Sequence, residues 1–120
     1  MPSTIARVRK ICLALPDTTE VRAWGAPTFR VFGRVFGMYS DAKSQHDVGR
    51  NAIWLNCDPT SQMYMIADKP DRFFKPKYVG PYGWVGVYLD GRVNWRTVAS
   101  LVRDAYDLSA AKVKPKPKKR

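Results

Sequence analysis

The chain has 120 residues, 45% of them hydrophobic, with 21 Lys and Arg against 10 Asp and Glu, a formal charge of +11. That length sets one domain with a real core, and the apolar share excludes global disorder. Short apolar runs exclude a bilayer-spanning helix, the first seven residues lack the form of a secretory signal, and two cysteines with one histidine are too few for a disulfide framework or most zinc sites.

The first predicted element is a helix over 4–15. Ile5, Val8, Ile11, Cys12 and Leu15 share one face, Ser3 or Thr4 caps the start, and Pro16 ends it. Residues 17–26 are polar and turn-rich. Two β-prone runs follow, 28–32 and 35–39, around a Gly33-Arg34 turn, so a hairpin is expected with Arg34 at its tip. After a polar loop over 40–50, residues 51–57 alternate as a strand. Ile53, Leu55 and Cys57 face one way, Trp54 and Asn56 the other.

Asp58-Pro59 starts a second helix through Asp68, which is expected to bury Met63, Ile66 and Ala67. Residues 69–83 are irregular. A strand over 84–89 sets Val85, Val87 and Leu89 against Trp84 and Tyr88, and Asp90-Gly91 turns the chain. Asn94 caps a last helix over 95–108 with Trp95, Val98, Leu101, Val102, Ala105 and Leu108 on its apolar stripe. Six cations, no acid and two prolines follow over 112–120, which predicts a disordered basic tail. The expected organisation is one domain over 1–111 and that tail. The domain then carries fifteen cations against ten acids, only +5. This element order predicts an α+β fold, an antiparallel sheet with helices packed on one face.

Several segments carry a resemblance. Cys12-Leu13-Ala14-Leu15-Pro16 with Glu20, Gly33-Arg34-Val35-Phe36-Gly37, Leu55-Asn56-Cys57-Asp58-Pro59, Gly80-Pro81-Tyr82-Gly83-Trp84-Val85 and 103–108 occur in the order of the MmcQ/YjbR family. The resemblance spans about 5–109 and departs from the usual pattern at Ala105, where the family has Ser. It implies a compact α+β fold compared to a "double wing" DNA-binding module. DNA binding comes from it by analogy of fold. The basic tail has no counterpart in the family pattern.

Catalysis finds little support. His46, the one histidine, lies in a polar loop. All acids but Glu20 are Asp at turns, caps or surface-like positions. Glu20 is expected to accept hydrogen bonds in a structural role. No glycine cluster has phosphate-loop form. The expectation is a non-enzyme without cofactor or metal, its cysteines free in a reducing, cytoplasmic setting.

Nucleic-acid binding needs cations on one surface, and unpaired bases need aromatic platforms. Residues 72–78 interleave both, with Arg72, Lys75 and Lys77 beside Phe73, Phe74 and Tyr78. Arg30, Arg34 and Arg92 fall on or near two turns that could act as wings astride a groove. Lys112, Lys114, Lys116, Lys118, Lys119 and Arg120 would anchor phosphate without reading sequence. The competing view makes the aromatics of 73–78 core plugs and the lysines a solvated face. The expected partner is therefore nucleic acid, DNA at low specificity, with no membrane contact and a monomeric chain. The alternative is a protein-interaction or small-ligand module, its aromatic groove floored by Trp54, Trp84 and Tyr88; against it stands the reading that residues of 69–83, such as Tyr82 or Phe74, cover these rings.

Overall fold

The computed structural model describes residues 3–41 and 49–113; His46 and the cations from Lys114 onward lie outside them. Among the described residues, nine helices and strands, with one 3₁₀ turn, build a six-stranded sheet with helices against it. They run α1 (Thr4–Leu13), β1 (Thr18–Ala23), β2 (Ala26–Val31), β3 (Arg34–Ser40), β4 (Ala52–Leu55), α2 (Pro59–Asp68), β5 (Phe73–Phe74), the 3₁₀ turn (Gly80–Tyr82), β6 (Val85–Tyr88) and α3 (Trp95–Val113). The sheet order is β1-β2-β3-β4-β6-β5, every pair antiparallel.

The helices start where side-chain caps satisfy their orphan N–H groups. The Ser3 hydroxyl accepts from Ala6 N–H at 3.2 Å, the Asp58 carboxylate from Ser61 N–H at 2.7 Å, and the Asn94 amide oxygen from Thr97 N–H at 3.1 Å. Val8 and Cys12 of α1 and Val98, Val102 and Ala105 of α3 pack with Phe29, Val31, Phe36, Ile53, Leu55, Val85 and Val87 of the strands. This is the main core, and burial pushes the Cys12 thiol up to about 12. Tyr106 of α3 donates to the Pro16 carbonyl at 2.7 Å, and Asn56 donates to buried Ser109 at 2.8 Å. Glu20 accepts the two-pronged guanidinium of Arg9, at 2.9 Å from both Nε and Nη2, tying β1 to α1.

Some expectations shift. Residues 17–26 hold a strand: β1 is an edge strand with a half-exposed, polar pattern, so its alternation is hidden by Thr, Glu and Arg. Two tight hairpin turns frame β2. Trp24-Gly25 (φ 55° and 77°) joins β1 to β2, and Phe32-Gly33 (φ 50° and 80°) joins β2 to β3. Positive φ at both central residues matches the strand twist. The second turn therefore falls one residue before the expected Gly33-Arg34, and Arg34 is the first residue of β3. In α2 it is Gln62 that is buried, whereas Met63 and Ala67 are exposed. Helix α3 runs on to Val113, so Lys112 belongs to the helix rather than to a tail, and Leu108 is exposed.

Candidate nucleic-acid interface

The sheet face away from α1 and α3 carries a second, smaller core of Ala26, Met38, Ala52 and Trp54, with Phe74, Val79, Trp84 and Tyr88 packed on it. The register sets it up: Met38 lies opposite Trp54, Trp54 opposite Gly86, and Gly86 opposite Phe74. A Cβ on Gly86 would lie 2.2 Å from the Phe74 ring, so glycine alone lets that ring lie across the sheet. Phe74 then stacks on Tyr88 at 4.6 Å. The Arg50 guanidinium lies 3.7 Å from the centre of the Tyr88 ring.

This corrects the expected aromatic groove. Trp54, Trp84 and Tyr88 do come together, but Trp54 is 0% exposed and Tyr88 is covered by Phe74 and Arg50. The open part of the face lies to one side. It is a hollow of about 370 Å³, walled by Trp24, Tyr78, Val79 and Trp84 over Val35, Met38 and Trp54. Trp24 and Tyr78, which the sequence did not single out as walls of a site, are 61% and 68% exposed.

Both hold a backbone conformation that aromatic residues seldom adopt. Their φ values are 55° and 66°, in the left-handed region that costs a side-chain-bearing residue roughly 1–2 kcal/mol. The detectable signal for Trp24 was an aromatic–Gly pair between β-prone runs, repeated as Phe32-Gly33.

The wall residue Trp84 is placed by α2. The buried Gln62 amide donates to the carbonyls of Gly80 and Trp84, at 2.8 and 2.5 Å. Gly83 (φ 97°) turns the chain there, and a Cβ on it would meet Pro59 at 2.8 Å.

The cations divide into two groups. Arg30 lies on β2 with its guanidinium 5.8 Å from the centre of the Trp24 ring. Val35 and Trp84, walls of the hollow, also line a neighbouring recess of about 380 Å³ with Arg34, Asn56, Tyr82 and Lys112. Arg34 and Lys112 have no ion pair among the described residues, and neither lining includes a carboxylate. Lys75 and Lys77 are exposed just before Tyr78, the Lys75 stem packed on Gly80.

The second group is engaged elsewhere. Asp90 receives both prongs of Arg50, at 2.7 and 2.6 Å, and lies 3.8 Å from Arg72. The hydrogen bonds of Arg50 hold the Asp90 carboxyl below the usual range. Arg72 also donates to the carbonyls of Asp90 and Arg92 at 3.3 and 3.2 Å. Arg72 leads into β5, four strands from Arg30, about 19 Å at the usual strand spacing. Arg92 and Arg34 sit at opposite ends of the strands, since Leu55–Val85 pairing lies towards Arg34 and Ala52–Tyr88 pairing towards Arg92. These two turns therefore cannot act as a pair of wings from one edge. Among the described residues, no three His, Cys, Asp or Glu side chains are grouped to hold a metal, and no helix is long and apolar enough to cross a membrane.

An α+β fold of this topology occurs in solved structures. Protein DR2400 of Deinococcus radiodurans, which carries a DUF419 domain, superposes with a TM-score of 0.75 at 22% identity, covering 91% of this chain and 80% of that one. A Pseudomonas syringae protein superposes with a TM-score of 0.66 at 16% identity, covering 91% and 99%. No curated protein matches the sequence. The YjbR family model matches residues 13–108, and the chain belongs to that family.

Proposed function

We propose that the chain is a non-catalytic nucleic-acid-binding protein that engages its ligand across the open face of the sheet. The observation that supports this most is the composition of one surface. Exposed Trp24, Tyr78 and Tyr82 border a hollow and recess whose charged lining residues, Arg34 and Lys112, are both cations, with Arg30 beside Trp24. Aromatic platforms among cations suit unpaired strands, where stacking supplies affinity and phosphate contacts supply salt dependence. DNA is the expected polymer from the family analogy, and the basic residues 112–120 add phosphate contacts that carry no sequence information.

The test is anisotropy of the full chain with a labelled single strand and the matching duplex across salt. Both bind at low salt, the single strand more tightly. Replacing Arg34 and Lys112 together by Gln lowers the salt slope on the single strand by about 1.4, from roughly 0.7 per phosphate contact. Absence of binding to either strand form at low salt would overturn the proposal.

A further inference from the structure

We infer that the hollow takes a single unpaired nucleobase, inserted between Trp24 and Tyr78, with its phosphate on Arg34 and Lys112. This rests on the nucleic-acid reading and names what its central site holds.

Three observations converge. First, the lining chemistry is that of a flat π-system: Trp24, Trp54, Trp84 and Tyr78 contribute four rings, with Met38 and Val35 beneath. A volume of about 370 Å³ is ample for one planar ring system but too small for a folded partner's helix. Second, the hollow is directional. Val35 and Trp84 belong both to it and to the recess holding Arg34 and Lys112, so an occupant's apolar part and its anionic part have adjacent places. A neutral lipid or an apolar peptide would leave that cationic end unused.

Third, the backbone is held against local preference at the two walls. Asn, not an aromatic, suits the first position of a turn such as Trp24-Gly25. Yet Trp24 (φ 55°) and Tyr78 (φ 66°) both occupy the left-handed region, both stand in solvent, and both flank the same hollow. Outliers of this kind collect at ligand clamps. Because the lining is nearly all carbon, hydrogen-bond discrimination between bases is weak, and the site accepts any base that stacks.

A base carrying a phosphate could come from a strand or from free nucleotide, and the experiment separates them. Tryptophan emission and affinity are measured on the full chain with oligothymidylate, the same strand with abasic sugars throughout, and thymidine monophosphate. Oligothymidylate is expected to quench the emission and to bind at least tenfold more tightly than the abasic strand, the equivalent of one stacked base. Trp24→Asn is expected to bring oligothymidylate down to the abasic level while the chain stays folded, since Asn tolerates that φ. A binding loss without a loss of fold separates a ligand wall from a packing residue.

Equal affinity for intact and abasic strands, or full binding by Trp24→Asn, overturns base insertion and leaves the nucleic-acid reading standing. If neither strand binds, that wider reading fails. A thymidine monophosphate quench that Trp24→Asn abolishes then keeps the hollow as a free-nucleotide site, and no quench removes it.

Discussion

Two depressions of the molecule, the cleft between α2 and α3 and the hollow on the open face, differ in sign. The cleft between α2 and α3 is the bigger, about 680 Å³, and its charged lining residues are Asp58, Asp104 and Asp107. The hollow on the open face, about 370 Å³, has no charged lining residue and adjoins a recess whose charged residues are Arg34 and Lys112. Size alone would choose the cleft for a ligand. Charge reverses the choice for a polyanion, because carboxylates repel phosphate while cations release counterions on binding it. The net excess of the folded part is modest, so its effect depends on this sorting.

The contrast can be broken at several points. Gly86→Ala has the largest expected effect: its Cβ would lie 2.2 Å from the Phe74 ring, an overpacking that costs about 1–3 kcal/mol and lifts Phe74 from the sheet. Chemical denaturation should show that loss, with Tyr88 more exposed and the cleft unaltered. Gln62→Ala joins the two regions in one test. It removes the donors to the Gly80 and Trp84 carbonyls, a loss of about 1–3 kcal/mol, and should weaken strand binding by loosening the Trp84 wall.

Next comes charge. Arg34→Glu with Lys112→Glu should cost about tenfold or more in affinity for a single strand at low salt, an electrostatic change that salt erases. Asp104→Asn with Asp107→Asn should change it less than about twofold, being in the other depression. Equal effects from the two pairs would abolish the distinction.

The smallest effect is at a site belonging to neither. Asp90 titrates lower in the fold than unfolded because Arg50 and then Arg72 favour its charged form. Its contribution is therefore complete above the ordinary aspartate value of about 3.9 and is lost as the pH falls through the lower folded value. As a partly exposed ion pair it is worth about 0–1 kcal/mol. Denaturation midpoints of wild type and Asp90→Asn should converge in acid and separate near neutrality.

How legible this was in the sequence depended on where each signal arose. The strand register of Ile53 and Leu55 against Trp54 was visible because alternation is local, as were the caps at Ser3, Asp58 and Asn94. Alternation says which face a ring takes, not what covers it. Trp54 is sealed by Phe74, Val79 and Trp84, which arrive from twenty to thirty residues later, so its burial could not be read from 51–57. β1 was hidden because an edge strand needs few apolar residues, and Trp24 because the common signature of its turn is Asn-Gly. Arg72 resembled a phosphate contact in composition, yet the backbone carbonyls of Asp90 and Arg92 occupy its donors.

The meander β1-β2-β3-β4 has a consequence for the order of assembly. Its strands are neighbours both in sequence and in the sheet, and the first three are joined by two-residue turns. Such short-range pairing closes quickly, whereas the segment carrying Tyr78, Val79 and Trp84 must dock across the finished ribbon. One rim of the hollow is thus built early and the other late. The late rim can detach as a subglobal opening while the meander stays folded, and amide exchange at residues 78–84 should be faster than at 29–39.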